Sequence, residues 1–193
     1  MKKLTEKNRR TLHLILTIII MVFIFVQSAM PDYASAEESN FFVEIAESII
    51  ESVSSAEIDF EMLSTVIRKL AHFTEYTVFG ACLLLTVRDH FHRKQGTQTD
   101  FTQQSNSAKS GTGQQSTKQQ TNPTQKLTSK TIYTIGAFAW LLGTIYAITD
   151  EIHQYFVPGR ACSTFDILID STGVAVGIVI AELSLCNITK KDK

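Results

Sequence analysis

Three stretches of the chain are almost free of charge, and a fourth is apolar only in its second half. Leu12 to Val26 is interrupted only by His13 and Thr17. With its flanks it reaches the roughly 20 residues needed to cross about 30 Å of hydrocarbon. Ile132 to Thr149 holds 18 residues without a charge, and Ile167 to Leu185 holds 19 with only Asp170 and Glu182 near its ends. Val66 to Val87 is different, because Arg68, Lys69, His72 and Glu75 crowd its first half and only Thr77 to Val87 is clean. Those eleven residues alone also suit a soluble core helix.

The charges between the stretches decide the matter. Lys and Arg number five up to Arg10, seven from Arg88 to Lys130 and three from Lys190, whereas Pro31 to Thr65 has none against nine Asp and Glu. Under the positive-inside rule the three basic segments are cytoplasmic and the acidic one lies outside. Only an even number of crossings returns the chain correctly, so Val66 to Val87 must span. The expected protein is an all-α membrane protein of four transmembrane helices, with both termini cytoplasmic.

Five regions follow. Residues 1–30 form the N-terminus and first span, and 31–65 an acidic extracytoplasmic segment. Residues 66–94 hold the second span and its cytoplasmic end, 95–130 a linker, and 131–193 the last two spans with a polar loop between them. Within the acidic segment Phe42, Ile45, Ala46, Ile49, Ile50 and Val53 recur at helical spacing opposite Glu44, Glu47 and Glu51. That pattern predicts an amphipathic helix on the outer side. The linker is rich in Gln, Thr and Ser with hardly an aliphatic side chain, which predicts disorder. A basic start, a short apolar core and Ala34-Ser35-Ala36 also describe a cleavable signal peptide, and in either case the next segment is outside.

Bulk properties change little. The net charge of −1 and the lack of a basic stripe with interleaved aromatics exclude a nucleic-acid partner. Cys82, Cys162 and Cys186 are too dispersed for a zinc spacing or a disulfide framework, though Cys162 falls in a polar loop.

The ionisable residues gather at one level. Arg68, Lys69, His72, Glu75 and Tyr76 open the second span from outside. Asp150, Glu151, His153, Gln154 and Arg160 lie between the third and fourth, and Asp166 and Asp170 open the fourth. Arg68, His72 and Glu75 share one helical stripe, and Asp166 and Asp170 share another that Gly173 and Gly177 continue inward. This GxxxG allows the second or third helix to approach closely. Charges at that depth cost at least about 2.5 kcal/mol each on insertion scales, so they face the bundle or a wet cavity. Pairing Arg68 or Arg160 with Asp170 would lower the cost.

Several chemistries fit these residue types. They can clamp helix ends together. Arg68, Lys69 and Arg160 can hold a lipid phosphate or carboxylate. As an enzyme on a lipid-linked substrate, the site would use Glu75 or His72 as acid–base, with Asp170 a further catalytic candidate. His72, Glu75, His153 and Asp170 could ligate a divalent metal, but no HxxxH or HExxH spacing supports it, and no metal or other cofactor is expected. Ser163 beside Asp166 lacks a defined His partner for nucleophilic chemistry.

RKLAHFTEYTVFG at 68–80, TDEIHQYFVPGRACSTFDILIDSTGVAVG at 149–177 and the QSAMP after the first span resemble the VanZ-like family of bacterial membrane proteins. The resemblance covers all four spans, over about residues 12–186, and leaves out the acidic helix and the linker. It rests on Lys69, His72, Phe73, Glu75 and Tyr76, then on Asp150, Glu151, His153, Gln154, Phe156, Pro158, Arg160, Ser163, Asp166 and Asp170. It implies a cell-envelope protein in the lipid bilayer. It also implies a link to resistance against teicoplanin, a lipoglycopeptide that binds a lipid-linked cell-wall precursor outside the cell.

Overall fold

The computed structural model describes residues 5–31, 43–45, 60–109 and 129–191, with side chains described over 5–31, 43–45, 62–92 and 130–187. Four helices account for nearly all of them: α1 Glu6–Ser28, α2 Phe60–Lys109, α3 Ser129–Gln154 and α4 Thr164–Lys191. No strand occurs among the described residues. Thr5 caps α1 by accepting a hydrogen bond from the Asn8 amide, and Glu6 sits in the first turn where the helix dipole favours an acid.

Each helix contains a stretch long and apolar enough to cross a membrane, within Glu6–Ser28, Met62–His92, Lys130–Gln154 and Thr164–Asn187. The bundle's outer surface fits that environment. Ile15, Ile19 and Val22 of α1, Leu141 and Ile145 of α3 and Val179, Ile180 and Leu183 of α4 are all exposed. A water-soluble monomer rarely shows so continuous an apolar surface, whereas helices satisfy their own backbone groups and can present it to lipid. The second span therefore stands as a full helix despite its charged start.

Tyr76, Phe79, Leu84 and Val87 of α2 form the core with Ile24 of α1, Ile135 and Ala147 of α3, and Val174 and Ile178 of α4. The closest approach is between α2 and α4. A Cβ on Gly177 would overlap the Thr77 carbonyl, and one on Gly80 would overlap the Val174 carbonyl. A Cβ on Gly173 would lie 2.7 Å from the Phe73 oxygen. The GxxxG of α4 thus receives α2, and α2 answers with a glycine of its own. This contact sets His72, Glu75 and Tyr76 beside Asp166 and Asp170.

Polar contacts tie the opposite end. Asp89 of α2 accepts from Arg9 at 3.5 Å and meets His13 Nδ1 at 2.7 Å, and Arg88 donates to Glu182 at 3.5 Å. Tyr146 of α3 donates to the Met21 carbonyl of α1 at 2.7 Å. With Ile24 buried and Thr17 hydrogen-bonded to Thr86 at 2.9 Å, α1 is an integral member of the bundle.

One expectation meets a different picture. Helix α2 runs on to Lys109, through the first fifteen residues of the segment read as a disordered linker. Extending an existing helix fixes one residue per hydrogen bond and avoids the nucleation penalty, so polar residues can follow the apolar span helically. Residues 110–128 lie outside the described residues. Of the amphipathic helix expected over 42–53, only 43–45 are described; they are helical, with Val43 buried.

Candidate functional site

The ends of α1 and α3 and the starts of α2 and α4 meet at one end of the bundle. Between α3 and α4 the chain turns through residues 155–163. Val157 N donates to the Gln154 carbonyl at 2.9 Å and Arg160 N to the Val157 carbonyl at 3.1 Å. Gly159 occupies the left-handed region at φ 82°, which a residue with a Cβ adopts only with strain. The turn aims Arg160 back at α1. Its Nε donates to the Met30 carbonyl at 3.0 Å, Nη2 to the Gln27 carbonyl at 3.4 Å and Nη1 to Gln154 Oε1 at 3.2 Å. The guanidinium fork thus bonds carbonyls at and just beyond the end of α1, sharing that of Gln27 with the Met30 amide.

Acids fasten the other walls. Glu151, 2% exposed, accepts the Ser163 amide at 2.8 Å, and Ser163 Oγ in turn accepts the Asp166 amide at 3.4 Å. Glu151 therefore secures the start of α4 to the end of α3. Asp166 is paired with Lys69, whose ammonium also lies 5.2 Å from the centre of the Phe165 ring. Asp150 Oδ2 accepts from Ser28 Oγ at 2.8 Å and from Gln154 Nε2 at 3.2 Å, with Gln154 Nε2 also 3.4 Å from Ser28 Oγ.

These elements enclose a cavity of about 390 Å³. Arg68, Lys69, His72, Glu75, Glu151, Gln154, Arg160, Asp166 and Asp170 line it. Asp150 and Tyr76 do not reach the wall and are buried behind it, the Tyr76 ring packing near Phe79 and Tyr146 at 6.1 and 6.3 Å. His153 turns away. Its ring stacks on Phe25 at 4.6 Å and takes no part in the cavity, so the residue expected at the site from its place in the motif serves the α1–α3 contact instead.

The pairing expected between Asp170 and Arg68 or Arg160 is not formed. Neither Asp170 oxygen has a hydrogen-bond partner among the described residues, and the same holds for Asp150 Oδ1 and Glu75 Oε2. His72, Asp150 and Asp170, one from each of α2, α3 and α4, bring ligand-type atoms within 4.8 Å of one another. They are the residues whose geometry could hold a metal. Sequence reasoning left out Gln27, Ser28 and Met30 at the end of α1, which contribute cavity wall, the Asp150 hydrogen bond and a carbonyl for Arg160. The signal was present in the QSAMP run, which carries no charge to draw attention to it.

Fold and site together define a polytopic helical membrane protein with a mixed-charge cavity at one end of its bundle. The chain belongs to the VanZ/LLP1 family, whose model matches residues 13–185, from within α1 to within α4. No curated protein and no solved structure matches the chain.

Proposed function

We propose that this protein works in the cell envelope, with its polar cavity opening to the extracytoplasmic side and binding the head of a lipid-linked or peptide-like ligand. The observation that carries the reading is the cavity itself. Its volume falls in the range of small-ligand sites, and Arg68, Lys69 and Arg160 on its wall suit a phosphate or carboxylate. The outward orientation is supported by Lys and Arg on the segments beyond the other end and their absence from Pro31 to Thr65. Family membership supports a role in lipoglycopeptide response, through altered access of teicoplanin to its lipid-linked target.

Native mass spectrometry of the protein extracted with its lipids tests the binding. The expected result is one lipid-sized or precursor-sized adduct per chain, lost in Arg68→Gln/Lys69→Gln and kept in Arg88→Gln at the opposite end. Wild-type protein without an adduct would contradict the reading. In cells, expression is expected to lower teicoplanin sensitivity, and the double variant to restore it.

A second reading is favoured by Glu75, whose Oε2 has no hydrogen-bond partner among the described residues although the side chain lines the cavity beside His72. Such a carboxyl group is available for proton transfer, as an enzyme acting on a lipid-linked substrate requires. Glu75→Gln would then retain the adduct and abolish turnover, whereas losing both would assign Glu75 to the fold.

A further inference from the structure

Several acids of the bundle have ion-pair partners. Asp89 has Arg9 and His13, Glu182 has Arg88, and Asp166 has Lys69. Asp150 and Asp170 differ from these. Asp170 is 1% exposed with neither oxygen hydrogen-bonded among the described residues, and Asp150 is 3% exposed with Oδ1 in the same condition. A buried carboxylate without compensation is costly, and two carboxylates sharing a site repel each other as well. One carboxylate oxygen of each aspartate and a ring nitrogen of His72 lie within 4.8 Å of one another.

We propose that His72, Asp150 and Asp170 form a divalent-cation site at the floor of the cavity. One imidazole and two carboxylates suit a cation of the zinc or manganese kind, and the two negative charges balance its double positive charge. Bonds of about 2.1 Å in a tetrahedral site place ligand atoms roughly 3.4 Å apart, which side-chain rotation reaches from the observed separations. Ser28 Oγ and Gln154 Nε2 both hold Asp150 Oδ2, which fixes the carboxylate plane and leaves Oδ1 for the ion. His72 and Asp170 line the cavity, so a fourth position faces it and is accessible to water or a ligand oxygen. Each ligand comes from a different helix. No HxxxH or HExxH spacing records the site for that reason. The site does not depend on the identity or side of any organic ligand.

The test uses the full chain purified in detergent with a tag free of histidine, stripped with a chelator and re-equilibrated with Zn²⁺ or Mn²⁺. Wild type is expected to retain one ion per chain by elemental analysis. His72→Ala and Asp170→Asn are each expected to weaken binding at least about tenfold, and His153→Ala to leave it unchanged. Thermal unfolding separates a lost site from a lost fold. Zn²⁺ should raise the midpoint of wild type but not of Asp170→Asn, and metal-free Asp170→Asn should unfold no lower than metal-free wild type. If Asp170→Asn does not fold, X-ray absorption on zinc-loaded wild type decides, with one imidazole and carboxylate oxygens expected. Wild type without bound ion, Asp170→Asn binding as wild type does, or a zinc shell lacking imidazole would each overturn the proposal.

Discussion

Gly177 of α4 lies so close to Thr77 of α2 that a Cβ would overlap the Thr77 carbonyl. This contact holds the His72/Glu75 stripe against the Asp166/Asp170 stripe. Gly177→Ala is therefore expected to lower the unfolding midpoint in detergent, by the equivalent of about 1–3 kcal/mol or more, as overpacking does. Gly136→Ala is the control. A Cβ there meets only Ile178 Cγ2 at 3.7 Å, so the better helix former should be neutral or stabilising.

Ser28 carries the link between α1 and the buried Asp150. Ser28→Ala removes a donor from a carboxylate that is 3% exposed, with an expected loss of about 1–3 kcal/mol in stability. Ser184→Ala should be close to neutral, since that hydroxyl is exposed and bonds back to the Ile180 carbonyl of its own helix. Equilibrium unfolding of the two variants checks the difference.

Arg160 reaches two carbonyls at the end of α1 and one side-chain amide at once, a geometry that lysine cannot reproduce. In hydrogen exchange, Arg160→Lys should therefore resemble Arg160→Ala, with faster exchange over residues 155–163. A lysine variant as protected as wild type would show that charge alone holds the loop.

Lys69 and Asp166 pair across α2 and α4 with their side chains about a third exposed. Water and salt screen such a pair. A double-mutant cycle on Lys69→Ala and Asp166→Ala should give a coupling of about 0.2–1 kcal/mol, falling as salt is raised. A much larger coupling would mark the pair as dry and the cavity mouth as closed.

Much of this arrangement is legible in the sequence, for identifiable reasons. Loop charges recovered α2 as a span where its own polar start argued against one, because insertion topology constrains the whole chain. Helical spacing grouped Arg68, His72 and Glu75 on one stripe and Asp166 and Asp170 on another, and these five line the cavity. The rest depends on rotations that spacing does not encode. His153 sits one residue from Gln154, yet its ring stacks on Phe25 while Gln154 faces the cavity. Asp89 and His13 meet across 76 positions, and Ser28 meets Asp150 across 122. A small uncharged residue such as Ser28, at the end of an apolar run, gives no sign of such a partner.

The orientation of the cavity is the claim on which the functional reading turns, and Cys162 tests it directly. Its thiol is exposed in the loop beside the cavity, whereas the exposed Cys186 lies near the far end of α4. Intact cells expressing the protein with Cys82→Ser, and with either Cys162 or Cys186 as the remaining cysteine, are treated with a membrane-impermeant maleimide. The expected result is labelling of Cys162 without permeabilisation and of Cys186 only after it. The reverse pattern would put the cavity on the cytoplasmic side and contradict the account.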